Sequence, residues 1–323
     1  MSDGTSATVG GPGDAGAPAR VDLSGDPRRQ RRERVVGGLF FAAAAGSLAI
    51  SLLILISLFS NGWDFFANVV WADVFSSDVW APRTGGYSIT TLLVSTLIVT
   101  GIAMILAVPL GLCSAVYLSE YAKPRTRQVL KPILEILAGI PSVVVGVFAL
   151  TFIAPEVVGR IFGEERGRTG SMMAAGIGVG ILAIPLVASV SEDALAAVPR
   201  TLREASVGLG ARRIHTTIRV VLPAAVSGIV AAVILAASRA IGETMVVFIA
   251  GGASDSARFE SSPLEGSLTM TAAMASLATG TDQVKGEGLA VASLYFVGII
   301  LFFFTLGLNI LGNRFVRRVR QAY

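Results

Sequence analysis

The sequence predicts an all-α, polytopic membrane protein with six transmembrane helices. Hydrophobic residues make up 53% of its 323 residues and charged residues only 15%, a balance that favours a membrane protein over a soluble one. The chain contains six apolar runs, each near the ~20 residues needed to cross about 30 Å of hydrocarbon. Lysine and arginine residues gather in alternate connections between these runs, as expected for a multi-pass protein.

The N-terminal segment 1–34 is predicted to be a disordered, basic cytoplasmic tail. Residues 1–27 are rich in Gly, Ala, Ser, Pro and Asp and show no apolar periodicity, so they cannot bury enough surface to fold. Arginines then crowd positions 28–34. The apolar run that follows is too long, and begins too late, for a secretory signal peptide. It is the predicted first transmembrane helix, residues 35–60.

Residues 61–87 are predicted to form an extracytoplasmic loop. We interpret its Trp and Tyr residues as anchors at the membrane interface without a binding role; they are Trp63, Trp71, Trp80 and Tyr87. A transmembrane domain follows at 88–312, and a basic cytoplasmic tail at 313–323. The five spans of this domain are expected near 88–118, 132–153, 171–190, 224–250 and 289–311.

Both termini are predicted to lie in the cytoplasm. Most basic residues fall in the N-terminal tail, in the connections at 119–131 and 191–223, and in the C-terminal tail. The other connections carry fewer basic residues, mixed with acidic ones. Because short basic loops stay on the cytoplasmic side, this asymmetry sets the orientation.

Proline and glycine interrupt several of the predicted spans, notably at Pro109, Pro141 and Pro185. Each interruption frees backbone groups that neighbouring helices or a wet cavity must satisfy. The breaks either line a transport pathway or are simple kinks where helices pack. The outer connection also holds a short apolar helix at 268–277, which is either an external gate that dips into the membrane or a surface helix.

The basic connection between the fourth and fifth spans is predicted to contain two short helices. Pro199 suits a first helical turn, Gly208 and Gly210 supply a break, and Pro223 opens the next helix. Apolar residues recur among the arginines of this segment. It is therefore either a docking surface for another protein or an amphipathic linker lying on the membrane.

The spacing within this connection resembles the EAA signature of ABC importer permeases. Glu204-Ala205, a glycine six residues after the Glu, and Val220-x-Leu222-Pro223 match it, with Ser206 in place of Ala and Val220 in place of Ile. The resemblance implies a MetI-like ABC importer permease fold, in which 191–223 is a coupling segment seated in a cleft of a cytoplasmic ATPase. The residues expected at that contact are Glu204, Ala205, Gly208, Gly210, Leu222 and Pro223.

The fifth span contains two charged residues, Arg239 and Glu243. Charged residues are costly in a membrane and normally face protein or water. In a continuous helix their i, i+4 spacing would place both on one face, within reach of a salt bridge. The planar guanidinium fork matches a tetrahedral oxyanion such as phosphate or sulfate. A mutually neutralised pair that only helps the helices to pack is the alternative.

The stretch from Ser238 to Met245 resembles PstC-type permease subunits of phosphate ABC importers, whereas PstA-type subunits usually continue with Ala-Pro where Met245 stands. The resemblance implies a substrate pathway near Arg239 and Glu243, and we include the adjacent Ser238 and Thr244 as candidates. It also implies a heterodimer with a PstA-type permease, two copies of a PstB-type ATPase, and a PstS-type phosphate-binding protein, in the cell membrane of a prokaryote.

The chain is not expected to be an enzyme or to bind a cofactor or metal. Cys113 and His215 are each the only residue of their type, and Gly-Lys does not occur, so the sequence contains no phosphate-binding P-loop. ATP and Mg²⁺ would therefore bind to the partner ATPase. The alternatives are a permease for another oxyanion (sulfate, molybdate or phosphonate) and, from another class, an ion-coupled secondary carrier.

Overall fold

The structure is a computed structural model that describes residues 27–167, 169–252, 257–279 and 289–320. It divides into two units, Met1–Leu55 and Ile56–Tyr323. The described part of the first unit is the beginning of α1 (Pro27–Asn68), whose side chains from residue 31 to residue 54 are exposed. The helix thus begins within the predicted tail. The rest of the disorder prediction, residues 1–26, lies outside the described residues.

The second unit is a helical bundle. After the end of α1, its α-helices are α2 (Trp71–Ser76), α3 (Ile89–Val116), α4 (Pro124–Ala138), α5 (Ser142–Phe148), α6 (Arg160–Phe162), α7 (Glu164–Gly167), α8 (Met172–Ala196), α9 (Arg200–Gly208), α10 (Arg213–Thr216), α11 (Leu222–Ile241), α12 (Met245–Ala250), α13 (Met270–Thr279) and α14 (Leu289–Arg320). Three π-helical segments continue or join them, at Tyr117–Tyr121, Ala149–Gly159 and Thr217–Val221.

Six stretches of the described chain are long and apolar enough to cross a membrane. They are Arg31–Asn68, Ile89–Tyr121, Ser142–Phe162, Met172–Ala196, Arg213–Ile241 and Leu289–Arg317. The predicted six-span, all-α class is confirmed. Serine hydroxyls cap the start of two spans, where Ser88 accepts from the Thr91 amide and Ser171 from the Ala174 amide.

The centre of the bundle is the close contact between α3 and α8. A Cβ added at Gly176 of α8 would lie 2.7 Å from the Cβ of Ile102, and one at Gly180 would lie 3.1 Å from the Ala103 carbonyl oxygen. Such spacing of small residues allows two membrane helices to approach backbone to backbone. The contact fixes the scaffold against which the fifth span packs.

The predicted third span, 132–153, is not one helix. The chain breaks at residues 139–141, between α4 and α5, and the membrane-length stretch is Ser142–Phe162. Pro141 explains the break, because proline disfavours helical geometry in the residue before it and donates no backbone hydrogen bond. The apolar run was correctly located, but its helical boundary was set too early.

Ion pairs attach α4 to the end of α8. Glu192, whose side chain is 1% exposed, pairs with Arg127 and with Lys131, and Lys131 Nζ also lies 2.8 Å from Asp193 Oδ1. Hydrogen bonds to Asp193 and Glu192 raise the pKa of Lys131 above its ordinary value of 10.5. The stabilisation from this charge is therefore fully present at neutral pH and is lost only as the pH rises through that raised pKa.

A small antiparallel sheet, absent from the sequence prediction, covers the opposite end of the bundle. Its strands are β1 (Val79–Ala81), β2 (Gly86–Tyr87) and β3 (Ala257–Arg258), in the order β2-β1-β3. Trp80 pairs with Tyr87 and with Ala257. Trp80 and Tyr87 are buried, so the prediction that they anchor at the membrane interface is wrong; Trp63 and Trp71 are exposed.

Residues 267–279, called here the inserted segment, pack inside the bundle. Leu268, Met270 and Ala272 are almost completely buried. The hydroxyls of Ser95 in α3 and Ser267 are hydrogen-bonded at 2.7 Å, and the Met270 amide donates to Thr96 Oγ1 at 3.1 Å. The alternative of a surface helix is therefore wrong.

Candidate functional site

The helical hairpin predicted between the fourth and fifth spans is present. It consists of α9, a bend, and α10 with the π-helical segment that continues it. Helix α9 ends in a Schellman motif, in which the Gly210 amide donates to the Val207 carbonyl at 2.8 Å and the Ala211 amide to that of Ser206 at 3.1 Å. Gly210 has a φ of +82°, a left-handed conformation that costs other residues energy. Glycine at this position therefore sets the bend before α10.

The hairpin exposes apolar side chains. Leu209 at the bend is 90% exposed. Four further large apolar residues of the hairpin are also exposed: Leu202, Val207, Ile214 and Ile218. An apolar surface on a basic, water-accessible hairpin is the kind of patch that another protein covers.

A buried carboxylate fixes the hairpin to the end of the second span. Arg203 donates from Nε and Nη2 to Glu120 Oε1 at 3.2 and 2.8 Å, and from Nη2 to the Leu195 carbonyl at 2.8 Å. Arg213 donates to the Glu120 backbone carbonyl, and its guanidinium lies 5.1 Å from the centroid of the Tyr121 ring. The sequence pattern predicts no role for Glu120, Arg203 or Arg213 beyond the basic character of the connection. A lone acid at the end of a basic loop was the available signal.

The structure brings together four of the six predicted coupling residues. Glu204, Ala205, Gly208 and Gly210 are exposed on the hairpin. Leu222 instead packs beside a small buried cluster that includes Leu195 and Val221. Pro223 lies with it in the first turn of α11. These last two residues anchor the hairpin to the bundle and do not add to its exposed surface.

The fifth span is interrupted next to its charged residues. Helix α11 ends at Ile241 and α12 begins at Met245, so Glu243 lies in the break between the two helices. Its carboxylate Oε1 accepts from the amides of Met245 and Val246, at 3.1 and 3.3 Å. Glu243 thereby satisfies two amides at the start of α12.

The expected salt bridge between Arg239 and Glu243 is absent from the ion pairs among the described residues. The expectation assumed a continuous helix, but α11 ends at Ile241 with Gly242 as its C-cap, so Glu243 is no longer helical. Both side chains still line one small cavity, together with Val179, Leu182 and Ala183 of α8.

Arg239 is exposed, although it lies on an otherwise apolar membrane span. No hydrogen bond or ion pair is recorded for its guanidinium within the described parts of the chain, so its donors are available to an anion. The other two candidates point elsewhere: Ser238 Oγ donates to Asn309 Oδ1 of α14 at 3.3 Å, and Thr244 Oγ1 donates to the Gly242 carbonyl at 3.3 Å. Of the four predicted pathway residues, only Arg239 presents free charged donors.

Comparison with known families decides the class of this protein. Residues 107–321 match the model of the family described as binding-protein-dependent transport system inner membrane component. The chain belongs to this family. The matched region contains both the hairpin and the interrupted fifth span.

Curated members of the family include close relatives. PstC 1, a phosphate transport system permease protein of Mycobacterium tuberculosis, is 33% identical over 81% of this chain and 84% of its own length. PstC of Mesorhizobium japonicum is 30% identical over 85% and 88%. PstA 1 of M. tuberculosis is 32% identical over 71% of each chain. The predicted resemblance to PstC-type permeases is confirmed.

Solved structures of family-like permeases share the fold. A chain of an alginate ABC transporter aligns with a TM-score of 0.63 at 15% identity, covering 89% of this chain and 97% of its own. A chain of the inward-facing MetNI methionine transporter aligns with a TM-score of 0.51 at 19% identity, covering 72% and 94%. These likenesses concern fold alone, and they confirm the MetI-like architecture.

Proposed function

We propose that the chain is the PstC-type permease subunit of an ATP-driven phosphate importer in the cell membrane of a prokaryote. It would form half of the translocation pathway, in a heterodimer with a PstA-type permease. Two PstB-type ATPases and a PstS-type phosphate-binding protein would complete the assembly. The support comes from relatives named PstC, which match more of the chain than the relative named PstA.

The observation that carries this proposal is the exposed guanidinium of Arg239. A charged side chain within a membrane span is costly when lipid surrounds it and normally faces protein or water. The side chain is therefore expected to face the partner permease and a water-filled path between the two subunits. There its fork would attract a phosphate dianion, and no salt bridge with Glu243 would have to break first.

The exposed hairpin supplies the second half of the mechanism. Its apolar side chains would seat in a cleft of the ATPase, with Glu204, Ala205, Gly208 and Gly210 at the contact. Because Arg203 and Glu120 hold the hairpin against the second span, movement of the ATPase would be relayed into the bundle. In this proposal the hairpin and both termini lie in the cytoplasm, ATP and Mg²⁺ bind to the partner ATPase, and this chain carries out no catalysis.

The test is uptake by the complete complex reconstituted in proteoliposomes. Arg239→Gln is expected to lower phosphate uptake at least 100-fold while the complex still assembles. Arg125→Gln removes an exposed arginine outside the spans and serves as the matched control. Normal phosphate uptake by Arg239→Gln would refute the pathway, and uptake of sulfate, molybdate or phosphonate in preference to phosphate would refute the substrate.

A further inference from the structure

The Glu243 peptide unit links the helix that carries Arg239 to the inserted segment. Its amide donates to the Ala240 carbonyl at 3.2 Å and so belongs to the last turn of α11. Its carbonyl lies in the break between α11 and α12. There it accepts a hydrogen bond from Thr271 Oγ1 at 2.8 Å. A hydroxyl twenty-eight residues away along the chain thus satisfies a backbone group freed by the helix break.

The Thr271 hydroxyl is part of a relay with only one consistent arrangement of protons. A carbonyl can only accept, so the Thr271 proton goes to Glu243. Thr269 Oγ1, 3.1 Å from Thr271 Oγ1, must then donate to it. Thr269 Oγ1 in turn accepts from the Ala272 amide at 3.3 Å. Both threonines are buried, so no water competes for these bonds and each hydroxyl has a fixed role.

The relay is anchored to the centre of the bundle. The inserted segment is fixed to α3 by the Ser95–Ser267 and Met270–Thr96 hydrogen bonds described above. Helix α3 in turn packs against α8. Hydrogen bonds through the inserted segment therefore connect the helix break to the closely packed α3–α8 pair.

We propose that Thr271 is a positioning residue for the substrate pathway. Its hydroxyl holds the break at residues 242–244 in the geometry that presents Arg239, although Thr271 itself touches no substrate. This inference rests on the proposed role of Arg239. Since a misplacement of about 1 Å can cost a site on the order of 100-fold in rate, loss of this hydrogen bond alters turnover and leaves the hairpin untouched.

The experiment compares Thr271→Val, Thr271→Ser and Thr279→Val in the reconstituted complex. Valine keeps the shape of threonine but removes the donor, whereas serine keeps the donor. Thr279, at the exposed end of α13, donates to the Ala275 carbonyl of its own helix and has no other side-chain bond among the described residues, so it is the matched control. Thr271→Val is expected to lower maximal phosphate uptake at least tenfold, with ATP hydrolysis stimulated by the loaded binding protein within twofold of wild type.

Serine rescue and the ratio of phosphate to ATP separate positioning from simple destabilisation. Thr271→Ser should retain at least half of wild-type uptake, and Thr279→Val all of it. The proposal would be overturned if phosphate uptake, ATP hydrolysis and complex yield all fell together in Thr271→Val. It would also be overturned if the valine and serine variants had equal defects. If the Thr271→Val complex cannot be purified, Thr271→Cys replaces it, because a thiol is a weaker donor than a hydroxyl. Thr271→Cys should lose at least threefold in phosphate uptake at normal complex yield. Normal uptake by Thr271→Cys would overturn the proposal.

Arg239→Gln is measured in parallel, because it separates the pathway role of Arg239 from the positioning role of Thr271. If Arg239→Gln abolishes uptake while Thr271→Val transports normally, the positioning role is wrong and the pathway assignment stands. If Arg239→Gln transports normally, the pathway assignment itself fails.

Discussion

The hairpin between the fourth and fifth spans and the break within the fifth span use charge in opposite ways. In the hairpin, the Arg203–Glu120 pair, with side chains 22% and 7% exposed, does the holding, and apolar residues such as Leu209 are presented outward. In the break, buried threonines and apolar packing do the holding, and the charged Arg239 is presented outward. The hairpin thus exposes apolar side chains, whereas the fifth span, which is itself apolar, exposes a charged one.

The difference supports the binding partners proposed above. If the hairpin lies in water, as proposed, its exposed apolar surface gains free energy when a protein covers it. Apolar material surrounds the fifth span, so an exposed guanidinium there gains when water or an anion reaches it. In both regions, the residues that hold the structure differ from those that are presented, and the two sets can be tested separately.

Of the variants that test this difference between the two regions, the one that removes the ion pair holding the hairpin is expected to change ATPase stimulation most. Arg203→Met removes both guanidinium donors to the buried Glu120 carboxylate, which keeps, among the described residues, only the Ser119 hydroxyl at 3.4 Å. It also removes one donor to the Leu195 carbonyl. Breaking a buried pair costs about 3–5 kcal/mol, so stimulation of the ATPase by loaded binding protein should fall at least tenfold. Arg212→Met, which removes an exposed arginine of the same hairpin, is the control. Equal stimulation in the two variants would show that the hairpin needs no such attachment.

A smaller effect is expected at the bend, where two neighbouring glycines differ in conformation. Gly210→Ala places a Cβ at a φ of +82°, which costs ~1–2 kcal/mol. Gly208 is helical, and a Cβ there meets nothing within 4 Å. ATPase stimulation should fall about three- to tenfold in Gly210→Ala and less in Gly208→Ala, because both variants add a methyl group to the proposed ATPase contact but only Gly210→Ala strains the backbone. The reverse order would contradict the bend described here.

The smallest effect is expected from Glu243→Gln in the break. A glutamine side-chain oxygen can still accept from the Met245 and Val246 amides, so phosphate uptake should stay within threefold of wild type. Glu243→Leu removes the acceptor and should lower uptake further, by about tenfold, since it leaves those two amides unsatisfied. If Gln and Leu are equally damaging, the negative charge itself is required, and the backbone role of the carboxylate is insufficient.

More of the structure of the hairpin than of the break in the fifth span could be predicted from the sequence. The bend, the helices and the exposed positions of Glu204 and Gly210 follow from local patterns of glycine, proline and apolar residues. The bonding of Glu243 could not be predicted, because it depends on where α11 ends and on Thr271, which is distant in the chain. The spacing of Arg239 and Glu243 favoured a salt bridge only for a helix that does not break.

The same division holds for the fold. Apolar runs of sufficient length identify the six spans, since the cost of burying polar groups in lipid leaves few alternatives. The boundary of the third span and the burial of Trp80 were missed. The strands β1, β2 and β3 are two or three residues long, too short for an alternating pattern to be recognised, and their pairing is set by tertiary contacts.

The small sheet also constrains the order in which the molecule can fold. Strand β1 pairs Val79 with Arg258, so the connection between the first and second spans must meet a strand that follows the fifth span. Closing so long a loop is entropically costly and is repaid only when the buried contacts around Trp80 form. The sheet can therefore be completed only after five of the six spans have been synthesised. Its formation requires that the ends of the early and late spans that carry its strands have come together.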